Sequence, residues 1–408
     1  RSDRHASLSL SGLTPTAKAA YLVLLWQVLE RPLLVVTDGN KQAEALSELT
    51  GTFFDLLVTQ RDAPQPQLIP ALDVLPHQRL SPHSEISAQR AIGLWRLASG
   101  KASITIAPVA AALLRTETRD FYRQLALTLR AGEEVPFEEV IAHLERLGYE
   151  RRDPVEMLGE YSVRGGILDV FPAESAKPVR LELFGDEIES IRRFDVESQR
   201  SVLQIPEVTI LPLLEYPRSP EVLGELAEKL AGTVEIPSPG SIFPGWELMA
   251  PLVRPRSESL LSLTSQPVVI VDEPEQTHAA ADRFWKRLDD AERPAPVSAE
   301  LSFFRWGELL SHLEGKAGIR LRELDLVLDA NAASPEDSFH IASRPPVTFH
   351  GNIPMAIAES RKLVEQGNRV VFFTQTLGEA ERLADLLREY TVPYQAGIEV
   401  TDGSQTWL

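Results

Sequence analysis

Short, uninterrupted apolar runs separated by helical segments are the feature that most constrains the fold of this chain. Such runs lie at Pro32 to Thr37 and Val268 to Val271, and the segment Ala102 to Pro108 is a further, β-rich strand candidate. Strands that are covered on both faces, as in parallel sheets, have continuous apolar sequences of this kind. Helical patterns intervene, for example over Ile86 to Ala98 and Glu275 to Asp289. The pattern therefore predicts an α/β body with a parallel sheet and helices on both faces.

A region of different character interrupts this pattern after Thr118. Residues Phe121 to Leu129 alternate like a strand, and the stretch from Gly159 to Ile191 is rich in β-forming residues. We therefore expect a multidomain chain with an inserted α+β domain and a small α/β domain at the end. The predicted segments are residues 1–117 and 204–340 for the body, 118–203 for the inserted domain and 341–408 for the small domain.

Composition limits the classes of site and partner. The formal net charge of -18 opposes general affinity for bare nucleic acid. The absence of cysteine excludes disulfides, thiolate metal sites and cysteine nucleophiles. The histidines have no metal-ligand spacing, and no apolar run has transmembrane length. We expect no metal and no membrane contact. Because the chain starts at Arg1 without methionine, we also expect it to be part of a longer protein.

The segment Val179 to Phe184, VRLELF, predicts a strand with two different faces. Side chains alternate along a strand, so Val179, Leu181 and Leu183 can enter a core. The remaining side chains, Arg180, Glu182 and Phe184, then point outward. An exposed aromatic residue beside charges is typical of a protein contact, and arginine and aromatic residues are common interface anchors.

The segment Leu8 to Ala20, LSLSGLTPTAKAA, has the layout of a loop that enters a helix. Within it, Gly12 to Ala19, GLTPTAKA, occupies the frame of a phosphate-binding loop. A working loop has glycine and Ser/Thr where this chain has Ala17 and Ala19, so that backbone N–H groups wrap the phosphates and a hydroxyl holds magnesium. Lys18 remains, but one lysine does not make a nucleotide site. We expect a degenerate loop without ATPase activity.

The run Val268 to Val271 ends in Asp272 and Glu273, like the acidic strand that handles magnesium in nucleotide hydrolases. Strands that end in acidic residues are common. We therefore interpret the pair as a degenerate counterpart of that strand and assign neither residue a catalytic role.

Several long motifs from Gly148 to Ser201 resemble the UvrB family. They are, in order, GYERRDPV, GEYSVRGGILDVFP, PVRLELFGDEIESIRRFD and SQRS. Two further segments, LPHQRLSPHSEISAQRAIGLWRL and IFPGWELMAPL, are similar to the amino-terminal part of the transcription-repair coupling factor family. Leu75 to Ser84 is too short for the DNA-gripping hairpin of UvrB, which favours the second family.

This resemblance implies a UvrB-like, degenerate P-loop body of the NTPase and helicase type, whose inserted domain binds UvrA. The family recruits UvrA to lesion-stalled RNA polymerase for nucleotide excision repair in the bacterial cytoplasm. By motif position, the UvrA-contacting residues would be Arg164, Arg180, Glu182 and Phe184. RNA polymerase and DNA would be bound by other domains, and a carboxy-terminal domain would mask the UvrA surface. ATP and magnesium would serve only the translocase motor of the longer protein, and we expect a monomer without a cofactor here.

Two other functions remain open at this point. The chain could be an active UvrB-like DNA-damage-binding ATPase or helicase, although Ala17, Ala19 and the missing hairpin oppose this. It could also be a purely architectural module that restrains a motor elsewhere in the longer protein. Binding of UvrA, or specific binding of ATP, would discriminate among the three.

Overall fold

The computed structural model describes most of the chain, in two compact units, Arg1–Arg344 and Pro345–Leu408. The described residues are 7–236, 238, 240–291, 295–312, 318–324, 338–344, 349, 352–372, 374, 376–395, 400–401 and 404–405. No helix among them combines the length and the apolar character needed to cross a membrane.

The elements are numbered in chain order. The strands are β1 (Ser7–Ser11), β2 (Leu33–Thr37), β3 (Gln67–Leu68), β4 (Ile104–Pro108), β5 (Leu127–Arg130), β6 (Glu150–Arg151), β7 (Glu160–Arg164), β8 (Ile167–Val170), β9 (Val179–Phe184), β10 (Glu187–Phe194), β11 (Ser201–Ile205), β12 (Glu207–Ile210), β13 (Val268–Asp272), β14 (Gly318–Leu321), β15 (Ser338–His340), β16 (Val400–Thr401) and β17 (Ser404–Gln405). The helices are α1 (Pro15–Leu29), α2 (Asn40–Leu57), α3 (Ser84–Ala98), α4 (Val109–Ala112), α5 (Arg119–Arg123), α6 (Phe137–Arg146), α7 (Pro220–Lys229), α8 (Trp246–Met249), α9 (Pro274–Asp289), α10 (Trp306–Ser311), α11 (Ile353–Glu365) and α12 (Leu377–Glu389).

A parallel sheet organises the first unit. Its strand order is β15-β1-β14-β13-β2-β4-β3, and neighbouring strands run parallel throughout. All five residues of β2 are buried, as expected of a strand covered on both faces. Helices α1 and α2 cover one face with Leu22, Val23 and Phe54. The predicted α/β class with a parallel sheet is thus confirmed.

A second, mainly antiparallel sheet also belongs to the first unit. Its order is β11-β10-β9-β8-β7-β6, with β6 parallel to β7 and all other neighbours antiparallel. Its inner face shares one apolar core with the parallel sheet, since Leu168 and Leu181 belong to the same buried cluster as Leu34 and Val36. The shared core joins the two sheets into one unit. Strands β5 and β12 form a separate antiparallel pair beside them.

Two sequence-based expectations about local structure are wrong. Residues 121–129 do not form one strand, because the Thr118 hydroxyl accepts a hydrogen bond from the Phe121 amide and starts α5. Strand β5 begins only at Leu127. Strand β1 occupies a stretch read as a loop, SLSLS, whose alternating serines conceal an interior strand.

The second unit contains helices α11 and α12 and the two-residue strands β16 and β17, which pair antiparallel. Asn352 caps α11 and Thr376 caps α12, each by accepting a hydrogen bond from a backbone amide three residues later. Residues 369–372, between the helices, are described and are not in a strand.

Candidate functional site: an outer sheet face and a degenerate phosphate loop

The outer face of the antiparallel sheet carries all four residues predicted to contact a partner. The register places Arg164 opposite Ile167, and Ile167 opposite Glu182, so these side chains lie in one row across β7, β8 and β9. The turn between β7 and β8 requires Gly166, because a Cβ there would lie 2.5 Å from the Leu183 carbonyl oxygen. This close approach fixes the position of Arg164 relative to β9.

Strand β9 has the two faces that alternation predicts. Val179 and Leu181 are buried, and Leu183 is partly buried against the same core. Arg180, Glu182 and Phe184 occupy the opposite face. The predicted alternation is confirmed, but the three outward side chains have very different environments.

Arg180 forms an ion pair with Asp169 on the neighbouring strand β8. Its guanidinium donates two hydrogen bonds to Asp169, at 2.6 and 2.7 Å, and it lies over the Phe194 ring at 4.8 Å. The Arg180 and Asp169 side chains are only 18% and 4% exposed. The hydrogen bonds to Asp169 raise the pKa of Arg180, although burial opposes the rise. Arg180 is therefore permanently charged and mostly engaged by Asp169.

Glu182 and Arg164 each have their own hydrogen-bonding partners, and both side chains are more exposed than that of Arg180. Glu182 accepts hydrogen bonds from Ser190 at 2.9 Å and from Arg192 at 3.2 Å. Arg164 forms a two-point ion pair with Asp153, in which both side chains are about half exposed. The hydrogen bond from Arg164 lowers the pKa of Asp153. Exposed pairs of this kind exchange partners at little cost.

Phe184 is the exposed apolar residue of this face. It is 77% exposed at the end of β9, directly before the turn at Gly185, and it pairs with Glu187 of β10. An aromatic ring of this exposure contributes little to the fold and offers a large apolar area to a partner. Phe184, beside half-exposed charges, gives the face the composition of an interface anchor.

The stretch from Gly12 to Ala19, which its sequence indicates to be a degenerate phosphate loop, leads from β1 into α1. Thr14 caps the helix and Pro15 is its first residue. Ala17 and Ala19 lie within the first turns, where they offer neither the flexibility of glycine nor a hydroxyl. Lys18 points into the protein, and its ammonium lies 2.6 Å from Asp272 and 2.6 Å from Glu273.

Lys18 of the loop and the acidic residues at the end of β13 thus form ion pairs with each other. Both motifs resemble parts of a nucleotide site. Burial alone lowers the pKa of Lys18, but the adjacent Asp272 and Glu273 carboxylates outweigh it, so the pKa is raised. Burial raises the pKa of Asp272 in spite of Lys18. Glu273 also accepts a hydrogen bond from the Glu323 amide at 2.7 Å. The lysine that would meet phosphate and the acids that would handle magnesium are thus engaged with each other, which does not fit a nucleotide with its magnesium.

No group of three or more His, Cys, Asp or Glu side chains in the described parts of the chain is arranged to hold a metal ion. The partners of the two predicted arginines, Asp153 and Asp169, are not among the residues predicted from the sequence. Asp169 lies 11 residues before Arg180, across a turn, so only the strand register reveals the pair. The sequence alone carried no signal for it.

Comparison with known proteins gives this geometry a family context. Residues 127–216 match the family model described as the UvrB interaction domain. Over 398 residues the chain is 27% identical to the transcription-repair-coupling factor of Haemophilus influenzae, covering 93% of this chain and 34% of that protein. Over 416 residues it is 25% identical to that of Staphylococcus aureus (strain bovine RF122 / ET3-1), covering 95% and 35%.

The chain is similar to the transcription-repair-coupling factors over nearly its whole length. The part that matches the UvrB interaction domain model spans β5 to β12 and includes the outer face with Phe184. The chain covers about a third of the length of the curated relatives it matches. The resemblance expected from the motifs is confirmed.

Proposed function

We propose that this chain is a recruitment module of a transcription-repair coupling factor, which brings UvrA to lesion-stalled RNA polymerase for nucleotide excision repair. The observation that carries the proposal is the exposed Phe184 on a face of the UvrB interaction domain. Arg164, Arg180 and Glu182 lie on the same face. Arg164 and Glu182 would contact UvrA directly, whereas Arg180 would hold the face in shape through Asp169.

The proposed architecture is a UvrB-like body with a degenerate P-loop, residues 1–117 and 204–340. An inserted UvrA-binding domain would occupy residues 118–203, and a small α/β domain residues 341–408. The separate antiparallel sheet formed by β6 to β11 supports the inserted domain. Its core, shared with the parallel sheet, supports a rigid attachment to the body.

The degenerate loop supports a function without catalysis. Gly12, Ala17 and Ala19 offer no hydroxyl for magnesium, and Lys18 is bound by Asp272 and Glu273. We propose that this chain hydrolyses no ATP and uses no cofactor. In the longer protein, ATP and magnesium would serve a translocase motor. The same ion pairs count against an active UvrB-like ATPase or helicase.

Similarity to the transcription-repair-coupling factors supports the remaining partners that we propose for the longer protein. RNA polymerase and DNA would be bound by other domains, in the bacterial cytoplasm. A carboxy-terminal domain would mask the Phe184 face until polymerase is engaged. We expect this chain to bind UvrA as a monomer.

Calorimetric titration of UvrA into this chain tests the proposal. We expect saturable binding that Phe184→Ala weakens by roughly 1–3 kcal/mol, the usual scale for an interface anchor. The matched control is Val28→Ala on α1, because Val28 is 80% exposed and lies outside the UvrB interaction domain. The control variant should bind like the wild type.

Three outcomes would contradict the proposal or its placement of the interface. A folded wild-type chain that does not bind UvrA would exclude recruitment and favour the architectural role. Saturable binding of ATP by the same chain, with hydrolysis, would instead revive the ATPase alternative. Equal losses for Phe184→Ala and Val28→Ala would mean that the interface lies elsewhere.

A further inference from the structure

The segment after β14 returns to the degenerate phosphate loop and covers it. Strand β15 pairs with β1 at the edge of the parallel sheet, and the Ile341 amide donates to the Ser11 carbonyl at 2.8 Å. The chain then passes directly over Gly12. A Cβ on Gly12 would lie 2.4 Å from the Ile341 carbonyl oxygen and 2.6 Å from His340 Cε1. The loop and the covering segment are therefore in contact at backbone distance.

Ser343 fastens this segment to the loop. Its hydroxyl accepts a hydrogen bond from the Thr14 amide at 2.8 Å and donates one to the Gly12 carbonyl at 2.7 Å. The Ser343 amide donates to the same carbonyl at 3.1 Å. In working phosphate loops, the backbone amides before and at the helix start are the groups that bind phosphate oxygens. Here Ser343 Oγ takes the hydrogen bond of one such amide.

The covering segment is also held by its ladder with β1 and by a hydrogen bond between Ser11 Oγ and His340 Nδ1 at 3.1 Å, but most of its residues are exposed. Ser338, Phe339 and His340, the whole of β15, are exposed, and so are Ile341, Ala342 and Arg344. A three-residue edge strand with exposed side chains has a low free energy of local opening compared with strands in the core. Arg344 is also the last residue of the first unit. The segment is thus the last part of the chain attached to the parallel sheet before the second unit begins.

We propose that residues 338–344 form a detachable strap over the degenerate phosphate loop, with Ser343 as its fastening residue. The strap takes the place of the phosphate at the Thr14 amide and keeps anions out. Detachment frees this amide and uncovers Gly12, while the buried Lys18 ion pairs stay closed. The proposal does not depend on UvrA binding.

Hydrogen–deuterium exchange on the 408-residue chain tests the strap. We expect Ser343→Ala to speed exchange roughly tenfold at the Thr14 amide and in the strap together, the effect of losing about one net hydrogen bond. Gly12→Ala should have a larger effect, because its Cβ would displace the Ile341 carbonyl. Exchange in β13, next to the Lys18 ion pairs, should stay unchanged in both variants.

Ser175→Ala is the matched control, because Ser175 is a half-buried serine whose hydroxyl donates to the Lys177 carbonyl at 2.7 Å. It should leave Thr14 and the strap at wild-type rates. If Ser343→Ala behaves like Ser175→Ala, or if the wild-type strap already exchanges at the rate of an unprotected peptide, the proposal is overturned. Slower exchange of the wild-type Thr14 amide in pyrophosphate would likewise overturn the exclusion of anions.

Discussion

The phosphate loop and the outer face of the antiparallel sheet use the same ion-pair chemistry in opposite ways. Lys18 and Asp272 have side chains that are 4% and 10% exposed, whereas Arg164 and Asp153 are 50% and 58% exposed. The buried pair cannot meet a ligand without leaving an uncompensated charge. The exposed pair can exchange its partner for water or another protein. The difference between the two ion pairs lies in their burial and not in their charges. The buried pair stabilises the fold, whereas the exposed pair is accessible to other molecules.

Among the substitutions of charged residues, Lys18→Met should produce the largest loss of stability, because it leaves two neighbouring carboxylates without their cation. We expect the free energy of unfolding to fall by about 3–5 kcal/mol, the usual cost of removing one partner of a buried pair. Urea denaturation followed by circular dichroism measures it. Arg164→Met removes the same charge at the exposed pair and should cost far less, because solvent screens that pair. Equal losses for the two variants would remove the distinction between the regions.

Arg180→Met should have the next largest effect, because Asp169 would remain buried without its two charged hydrogen bonds. We expect a loss of about 2–3 kcal/mol in the free energy of unfolding, the scale of buried hydrogen bonds to charged groups. Arg192→Met is the control on the neighbouring strand, where the pair with Glu182 is more exposed. If Arg180→Met proves as stable as that control, Arg180 is free to contact a partner directly.

The sequence predicts those parts of this fold that depend on neighbouring residues. The apolar runs of β2 and β13 reveal a parallel sheet because such strands are buried on both faces. The faces of β9 follow from alternation alone. Conversely, Lys18 and Asp272 are 254 residues apart, and no local pattern brings them together. The match to a phosphate loop located the site, but only the tertiary structure reveals the closed ion pair.

The same distinction explains the error at β1. The serines of SLSLS read as loop residues, yet Ser9 and Ser11 are buried. Ser9 receives a hydrogen bond from the Arg322 side chain at 2.7 Å, from the segment that follows β14. A buried hydroxyl is stable when it has such a partner. The partner lies more than 300 residues away, so the sequence cannot supply the reason that this strand lies inside the sheet.

The Arg164 pair gives a smaller and pH-dependent effect. Its hydrogen bond lowers the pKa of Asp153 in the folded state. The stabilisation is therefore present above the ordinary aspartate pKa of about 3.9 and is lost as pH falls through the lowered value. In Arg164→Gln, the Asp153 titration should move up toward the ordinary value, as NMR of the side-chain carboxyl can show. An unchanged midpoint would mean that the pair does not persist in solution.

Phe184→Ser should have the smallest effect on stability, because the ring is exposed to solvent. We expect a change within about 0.5 kcal/mol in the free energy of unfolding, as for surface substitutions away from special features. Phe194→Ser on β10 is the opposite control, since its fully buried ring packs against Val155 and Phe171 and the variant should unfold readily. A large loss for Phe184→Ser would make the ring a structural residue. The two phenylalanines thus separate a residue that the fold needs from one that the fold leaves exposed.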